Sequence, residues 1–473
     1  MVTSPDLQYG LNAVNFSPVH DALTHDRDMA SSDPITIRDE AIRHLQALLR
    51  IDTTNPPGKE LAAAQYLDAV LRAEGYEPII LEGAPGRGNL VARYAGDRTA
   101  PPLLLYSHTD VVHAEADQWT HAPFGGDIAD GSVWGRGALD MKGMVVMELM
   151  TLLLLKRNGD ALHRDVIFAA TADEEVDSDV GAGWLIATHP DLVRAEYGLS
   201  EFGGYSMHFE RRRFYPVMTA EKGVCWMRIR ARGRPGHGSV PHPDNAVLQL
   251  ARAIDRAAGR PLPLHVTPTA AEFIRRIAAA LDTRRALSLR ALLNPITYPL
   301  AAARMSSTGL GASLRASLHN TVSPTQLAAG TTPNVIPSVA EATLDGRLLP
   351  GFDQESFLAE LRPRLGPRIE IEIEHYSPPL EVSADTPLFH AIESNLHRHD
   401  PQGIVVPYML SGATDAKLFS QLGIKCYGFS PLRLRPDEAF DRLIHAHDER
   451  VSIDALAFGV QVLYETVRNF CRQ

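Results

Sequence analysis

The sequence has few cysteines and no long apolar run, and both absences narrow the classes of protein to which it can belong. The three cysteines, Cys225, Cys426 and Cys471, lie far apart, which excludes a disulfide framework and a thiolate zinc site. No apolar run reaches the ~18 residues that a membrane span needs. The first residues contain acids early and no apolar core segment, so they are not typical of a secretory signal. We therefore expect a soluble cytoplasmic protein.

Positive charge is also scarce relative to negative charge. Lys and Arg total 46 and Asp and Glu total 57, so the formal net charge is 46 − 57 = −11. This balance argues against nucleic acid or an anionic membrane as a partner. Hydrophobic residues make up 45% of the 473 residues, which is enough for a sizeable core, and the length suggests two or three domains.

Two regions of alternating strands and helices flank a region in which the predicted elements follow a different order. Strands such as residues 166–170 are apolar on both faces, as expected where helices cover both sides of a sheet. Residues 222–381 instead follow the β-α-β-β-α-β order of a small open-faced sandwich. We predict an α/β protein whose mixed-sheet catalytic domain (34–221 and 382–473) carries helices on both faces. An α+β sandwich, a lid or dimerisation domain (222–381), interrupts it, and residues 1–33 form an N-terminal extension.

Polar residues follow several of the apolar strands. His108 and Asp110 point the same way along an extended chain, and a carboxylate commonly fixes the tautomer of a metal-bound imidazole. Taken alone, a histidine at a strand end is more often a hydrogen-bonded structural residue. Asp140 ends the glycine-containing stretch GRGALD and precedes a helix, and taken alone it is better explained as a helix N-cap.

Further carboxylates and a second imidazole complete the set of candidate ligands. Asp173, Glu174 and Glu175 end a buried strand, where adjacent carboxylates repel each other and lose solvation. A bound polycation is the usual reason to tolerate this, and the alternative is a solvated acidic loop. Glu201 ends the next apolar strand, and His445 lies in the stretch HAHDE. Nitrogen and oxygen donors without cysteine suit a dinuclear zinc site.

Eight motifs follow one another along the chain: SHTDVV, GRGALDMKG, DEE, SEFGG, GRPGHGSVP, TPNVIP, SGATD and HAHDE. In this order they resemble those of the dinuclear zinc amidohydrolases, which include aminoacylase, carboxypeptidase S, glutamate carboxypeptidase, acetylornithine deacetylase and succinyl-diaminopimelate desuccinylase. The resemblance covers about residues 38–470. A helical stretch near residues 270–318, which the compact deacetylases lack, makes the chain most similar to the aminoacylase and carboxypeptidase S branch.

The resemblance implies a site for two Zn²⁺ per chain, with Co²⁺ or Mn²⁺ as substitutes. The implied ligands are imidazoles and carboxylates: His108, Asp140, Glu175, Glu201 and His445. Asp140 would bridge both ions. His108 and Glu201 would complete one site, and Glu175 and His445 the other.

Catalytic roles are implied for three further side chains. Glu174 would act as the general base and pass a proton from water to the leaving amine. Asp110 would be the partner of His108. His237, in GRPGHGSVP, would stabilise the oxyanion, in several family members across a dimer or after domain closure. Without the surrounding motif, His237 would be better explained as an ordinary loop histidine.

Two positions need separate comment. Phe202 stands where the family often has a glycine after the ligand glutamate, and this departure bears on the local backbone path. The family spacing of a histidine and a glutamate four residues later selects His445 with Glu449. His447 is the rival ligand and is interpreted as a neighbour.

Substrate-binding roles are implied for Asn334 in TPNVIP, Arg347 in LDGRLLPG, and Gly412 and Thr414 in SGATD. The arginine fork suits a substrate carboxylate bidentately. The alternative for Arg347 is an ordinary surface charge on an edge strand.

We therefore expect zinc-dependent hydrolysis of the amide bond of an N-acyl amino acid or a small peptide with a free carboxylate. The helical stretch would shape an apolar pocket or act as a packing element. The alternatives are a dipeptidase of the same family, an inactive metal-free binding protein on the same fold, and a single-metal enzyme of another reaction type. The family-based expectation is a homodimer formed through the inserted domain.

Overall fold

A computed structural model describes residues 33–209, 211–305, 309–436 and 438–473. Residues 1–32 of the predicted N-terminal extension lie outside the described residues. Among the described residues, no helix combines the length and the apolar character that crossing a bilayer requires.

The elements of the first part of the chain are helices and strands in close alternation. In order they are α1 (Pro34–Leu49), α2 (Leu61–Ala73), β1 (Ile79–Ala84), β2 (Arg87–Tyr94), β3 (Leu103–His108), β4 (Asp127–Ala129), β5 (Ser132–Trp134), α3 (Lys142–Arg157), β6 (Val166–Thr171), α4 (Ala182–Thr188), α5 (Pro190–Val193), β7 (Tyr197–Ser200), β8 (Met207–Phe209) and β9 (Arg212–Glu221).

The remaining elements include a group of consecutive helices. They are β10 (Gly223–Arg232), β11 (Gly236–His237), α6 (Ala246–Ala258), α7 (Pro268–Ala279), α8 (Thr283–Arg290), α9 (Tyr298–Met305), α10 (Gly309–Leu318), β12 (Thr321–Ala329), β13 (Val335–Ile336), β14 (Val339–Leu348), α11 (Gln354–Leu365), β15 (Ile369–Ser377), β16 (Leu380–Glu381), α12 (Pro387–His399), β17 (Gly403–Leu410), α13 (Ala416–Phe419), β18 (Lys425–Gly428), α14 (Phe440–Leu443), β19 (Arg450–Ser452) and α15 (Ile453–Cys471).

Local sequence signals explain where the main helices begin. Asp33 caps α1 by accepting a hydrogen bond from the backbone N–H of Ile35, and Pro34 occupies the first helical turn. Ser452 caps α15 in the same way through the N–H of Ala455.

A mixed sheet of ten strands forms the first layer system. Its main path runs β1-β2-β6-β3-β7-β18-β9-β16, with β8 and β17 also paired to β9. The neighbours β6, β3 and β7 are parallel, and His108 at the end of β3 lies opposite Thr171 at the end of β6. The carboxyl ends of these three strands therefore share one edge of the sheet.

Helices cover both faces of this sheet. Leu103 and Leu105 of β3 pack into a core with α1, α2, α3, α12 and α15. Leu104 and Tyr106 point the other way and pack with α4 and α13. The predicted α/β fold with a mixed sheet between two helical layers is confirmed.

A second sheet has four antiparallel strands in the order β12-β14-β10-β15. Buried and half-buried residues alternate along β14, and the buried ones pack with α6 and α11 in a separate core. This is a two-layer α+β sandwich. The chain leaves the first sheet at Glu221 and enters the second at Gly223.

The consecutive helices α7–α10 lie between strands of the second sheet in sequence, but they pack elsewhere in space. Phe273 and Ile274 of α7 and Leu289 of α8 share a core with Phe214 of β9 and Val406 of β17. The helical stretch therefore extends the helical cover of the first sheet.

We expect Leu105→Ala to lower the free energy of unfolding by about 2–5 kcal/mol, because it leaves a cavity beside the central strand of the first sheet. Urea denaturation measures this change. The control, Leu300→Ala, removes a side chain that is 60% exposed and should change the value by less than about 0.5 kcal/mol. Equal effects of the two substitutions would contradict this account of the core.

Candidate metal centre

Five side chains that are far apart in sequence meet at the shared edge of β6, β3 and β7. His108 ends β3, Glu175 follows β6 and Glu201 follows β7. Asp140 lies just before α3, and His445 follows α14. They form two groups that share Asp140, and within each group the potential ligand atoms lie within 4.8 Å of one another.

The first group contains His108, Asp140 and Glu201, and all three are buried. His108 Nε2 lies 3.2 Å from Asp140 Oδ1 and 3.7 Å from Glu201 Oε2. The imidazole therefore presents the same nitrogen to both carboxylates.

The second group contains Asp140, Glu175 and His445. His445 Nε2 lies 3.2 Å from Asp140 Oδ2 and 3.2 Å from Glu175 Oε2. The two oxygens of Asp140 thus face different histidines. This is the arrangement that a carboxylate bridging two cations requires.

The charges at the centre are unbalanced without a cation. Hydrogen bonds to Asp140 and Glu175 raise the pKa of His445 to about 10. Burial, with the charge of Asp140, raises the pKa of Glu201 to about 8. Glu175 Oε1 is buried and finds no hydrogen-bond partner within the described chain. Imidazole and carboxylate donors with an orphaned buried oxygen fit divalent cations.

Asp110 supports His108 from behind. Its Oδ1 lies 3.4 Å from His108 Nδ1, the nitrogen that points away from the two groups. It also accepts hydrogen bonds from the backbone N–H groups of Glu174 and Glu175 and from Asn55 Nδ2. Burial alone would raise the pKa of Asp110, but the hydrogen bonds from His108 and Asn55 hold it below its usual value.

Glu449 supports Asp140 in a similar way, although the sequence suggested no role for it beyond its spacing from His445. Its buried carboxylate accepts hydrogen bonds from the N–H groups of Gly137, Leu139 and Asp140. Arg136 Nη1 adds a further bond of 2.6 Å. Glu449 thereby holds the GRGALD turn that presents Asp140.

Glu174 lies beside the two groups and belongs to neither. Its Oε2 is 3.8 Å from His108 Nε2, and its side chain is 14% exposed, so solvent and substrate can reach it. Burial and the negative charge of Glu201 raise the pKa of Glu174 well above its usual value.

The backbone conformation of Phe202 explains why a glycine suits the position after the ligand glutamate. Its φ of +55° lies in the left-handed region that glycine adopts without strain. The ring of Phe202 packs edge-on against Phe440 at 6.1 Å, and Phe440 stacks on Tyr205 at 4.2 Å. Because Phe440 begins the short helix before His445, these aromatic contacts join the two segments that carry Glu201 and His445.

The remaining predicted residues lie in other surroundings. His237 and Asn334 are neighbours, since β11 pairs with β13 and the Gly238 N–H donates to the Asn334 carbonyl. His237 Nδ1 lies 2.7 Å from Ser239 Oγ. In the part of the chain that the structure describes, neither residue contacts the five clustered side chains.

Arg347 and Thr414 are each bound to a carboxylate near the passage between the two sheets. Arg347 makes a bidentate pair with Asp345, at 2.8 and 3.1 Å. The Thr414 hydroxyl donates to Glu221. Gly412 lies in the same loop as Thr414 and is half-buried.

Asp415, the last residue of SGATD, is buried, and the sequence analysis did not single it out. It accepts hydrogen bonds from Ser178 Oγ at 2.6 Å and from Thr171 Oγ1 at 3.3 Å. Burial raises its pKa to about 6. It connects the SGATD loop to the loop that carries Glu174, and its place in SGATD was the only available signal.

Comparison with known proteins gives one family and a consistent fold. The profile of peptidase family M20/M25/M40 matches residues 104–469. The chain is 27% identical over 398 residues to the N-fatty-acyl-amino acid synthase/hydrolase PM20D1 of Xenopus tropicalis, covering 81% of this chain and 75% of that protein. It is 26% identical over 423 residues to aminoacylase-1 of Homo sapiens, covering 88% and 91%.

Solved structures share the architecture at low sequence identity. An M20 family metallo-carboxypeptidase from Sulfolobus solfataricus superposes with a TM-score of 0.67 at 18% identity, covering 91% of this chain and 99% of that one. A dinuclear metal binding peptidase of the M20 family from Bacillus subtilis superposes with a TM-score of 0.59 at 15% identity, covering 92% and 99%.

We expect His445→Gln to lose the cation held by the second group, because the substitution removes its only imidazole. His447→Gln is the matched control: its side chain is 47% exposed against 50% for His445, and it lies 3.3 Å from Glu115 instead. Elemental analysis after dialysis gives the metal content per chain. Loss of metal from the His447 variant alone would reverse the assignment.

Proposed function

The chain belongs to peptidase family M20/M25/M40, and from this membership we propose that it hydrolyses the amide bond of an N-acyl amino acid or a small peptide with a free carboxylate. Membership makes it a metallo-hydrolase that acts on amide bonds. The observation that carries the proposal is the pair of Asp140 oxygens, each directed at a different imidazole, with Glu174 alongside.

We propose Zn²⁺ as the metal, two ions per chain. One ion would be held by His108, Asp140 and Glu201, and the other by Asp140, Glu175 and His445. Nitrogen and oxygen donors without thiolate suit zinc, and they also accept Co²⁺ or Mn²⁺. When bound, such cations polarise the scissile carbonyl and lower the pKa of water.

Glu174 is the proposed general base. Its carboxylate takes a proton from the attacking water and then delivers it to the leaving nitrogen, so one group serves as base and then as acid. Asp110 fixes the His108 ring so that Nε2 faces the centre. Glu449 keeps Asp140 in place through the backbone of the GRGALD turn.

The proposed substrate class is supported by the named relatives. The named relatives act on N-fatty-acyl amino acids or are aminoacylases, which favours an N-acyl amino acid. Helices α7–α10 add no argument for an acyl pocket, because their buried apolar side chains pack directly against β9 and β17. A dipeptidase is the competing proposal, because human carnosine dipeptidase 1 shares the fold with a TM-score of 0.61.

Four residues are proposed to bind the substrate: Asn334, Arg347, Gly412 and Thr414. Arg347 would receive the substrate carboxylate, and its pairing with Asp345 keeps the guanidinium oriented. The backbone of the SGATD loop would offer N–H groups to the same end of the substrate.

A homodimer would explain why His237 does not contact the five clustered side chains among the described residues. Strand β12 is an edge strand that pairs only with β14 among the described residues, and Leu327 on it is 70% exposed. Val247 and Leu248 of α6 are also exposed. An open edge beside exposed apolar residues suits pairing with a second copy. His237 would then reach the partner's centre and stabilise the oxyanion.

We expect a panel of N-acyl amino acids and dipeptides to be hydrolysed with Zn²⁺, Co²⁺ or Mn²⁺ and to be spared after chelation. Glu174→Gln should retain the metal and lose about 10²–10⁴ in kcat, the usual contribution of a general base. Asp177→Asn removes an exposed acid of the same loop and should leave kcat unchanged. A protein that binds no metal and hydrolyses no member of the panel would support a metal-free binding protein instead.

We expect His237→Ala to retain the metal and to lose about 10²–10³ in kcat, as when one oxyanion donor is removed. Mixing the His237→Ala and Glu174→Gln proteins shows whether the histidine acts in its own subunit or in the partner subunit. If His237 serves the partner's centre, a mixed dimer has one complete centre and activity returns. No recovery in dimers shown to exchange subunits would contradict this arrangement.

A further inference from the structure

A half-buried guanidinium lies behind the metal centre and contacts none of the candidate ligands among the described residues. Arg87 begins β2, and its side chain is 14% exposed. It binds Glu60 bidentately, with Nε to Oε2 at 2.6 Å and Nη2 to Oε1 at 2.8 Å. Its Nη2 also donates to Asp173 Oδ1 at 2.9 Å. One guanidinium therefore joins two carboxylates from separate parts of the chain.

Asp173 is the residue immediately before the proposed base, and its backbone is strained. Its φ of +73° lies in the left-handed region, which residues other than glycine adopt only uncommonly. Its carbonyl accepts the Ser178 N–H at 2.7 Å, and its Oδ2 accepts the Val180 N–H at 3.3 Å. These contacts fold residues 173–180 into a loop around the Asp173 side chain. The surroundings must hold Asp173 in place for the strained conformation to persist.

Asn55 connects this loop to the support of His108. Its Nδ2 donates to Asp173 Oδ1 at 3.0 Å and to Asp110 Oδ2 at 2.9 Å. Asp110 in turn accepts the N–H groups of Glu174 and Glu175. The chain of contacts from Arg87 thus reaches both glutamates through Asp173 and Asn55.

Gly58 shows that the chain is shaped around this guanidinium. A Cβ at position 58 would lie 2.3 Å from both Cζ and Nε of Arg87. Gly58 also has a φ of +75°, which a residue with a side chain rarely adopts. The loop before α2 therefore leaves a space that the Arg87 side chain fills.

We propose that Arg87 is a positioning residue, which acts through Asp173 to hold the loop that presents Glu174 and Glu175. Three buried carboxylates, Glu60, Asp110 and Asp173, lie in this network, and Arg87 is its only permanently charged cation among the described residues. Without the guanidinium, Asp173 loses its cationic partner and the strained turn loses its anchor. The proposal rests on the proposed function for the roles of the two glutamates.

The position of Arg87 predicts an unequal effect on the two groups of ligands. It supports the loop of Glu175 directly, whereas Glu201 and Asp140 are held by other segments. Arg87→Gln should therefore weaken the cation site of Asp140, Glu175 and His445 more than that of His108, Asp140 and Glu201. Loss of a supporting partner typically costs about 10–100-fold in metal affinity or activity.

Two readouts test the proposal, and Arg157→Gln is the matched control. Arg157 also binds a carboxylate bidentately, Glu40 at 2.7 and 2.8 Å, is 21% exposed and lies in α3 remote from the loop. In the metal-free protein, hydrogen exchange of residues 173–180 should accelerate in Arg87→Gln and stay unchanged in Arg157→Gln. Stepwise Co²⁺ titration should show one binding step weakened by about 10–100-fold in the Arg87 variant only.

Arg87→Lys keeps the positive charge and provides a second test in case the glutamine variant misfolds. It should recover part of the metal affinity and of kcat, with KM little changed. Equal effects of the Arg87 and Arg157 substitutions, or unchanged loop exchange and metal affinity in Arg87→Gln, would overturn the proposal. Hydrogen exchange does not depend on the reaction. If the protein has no hydrolytic activity but Arg87→Gln still accelerates hydrogen exchange in residues 173–180, the result would count against the proposed function alone.

Discussion

The shared carboxylate of Asp140 is the constraint on which the rest of the centre depends. Its two oxygens face His108 and His445, which are separated by more than three hundred positions in the chain. A carboxylate can serve two cations only if its orientation is fixed, because rotation would withdraw one oxygen. Glu449 supplies that restraint by binding the backbone of the turn rather than the carboxylate itself. The oxygens of Asp140 therefore stay available.

The same principle of support through the backbone recurs around Glu174 and Glu175. Asp110 binds the N–H groups of both residues, and Asp173 organises the loop that follows. Parallel strands give the approximate location, since β6, β3 and β7 end together at one sheet edge. Buried carboxylates then set the side-chain directions. The strands therefore determine where the ligands lie, and the buried carboxylates determine how they are oriented. These supporting carboxylates are harder to recognise in the sequence than the ligands.

This division explains what could be predicted. The ligand candidates follow directly after apolar strands or within glycine-containing turns, so the motifs alone named the five side chains that the structure brings together. Arg87 and Asn55 carry no such signal, because a lone arginine at a strand start is most often a surface charge. The packing of α7–α10 on the first sheet was also unpredictable. Their apolar faces have the correct period for a helix, but periodicity does not say which sheet they cover.

Phe202 shows how the centre tolerates a locally unfavourable residue. A left-handed backbone at this position would cost less with glycine, yet the phenylalanine ring contributes contact with Phe440 and, through it, with Tyr205. Strain of this kind, about 1–3 kcal/mol, persists only where surrounding contacts determine the conformation. Aromatic pairs contribute about 0.5–1.5 kcal/mol beyond their buried area, a comparable magnitude. The aromatic contacts therefore offset the strain while tying the segment of Glu201 to that of His445, so the departure from glycine is compatible with a correctly formed centre.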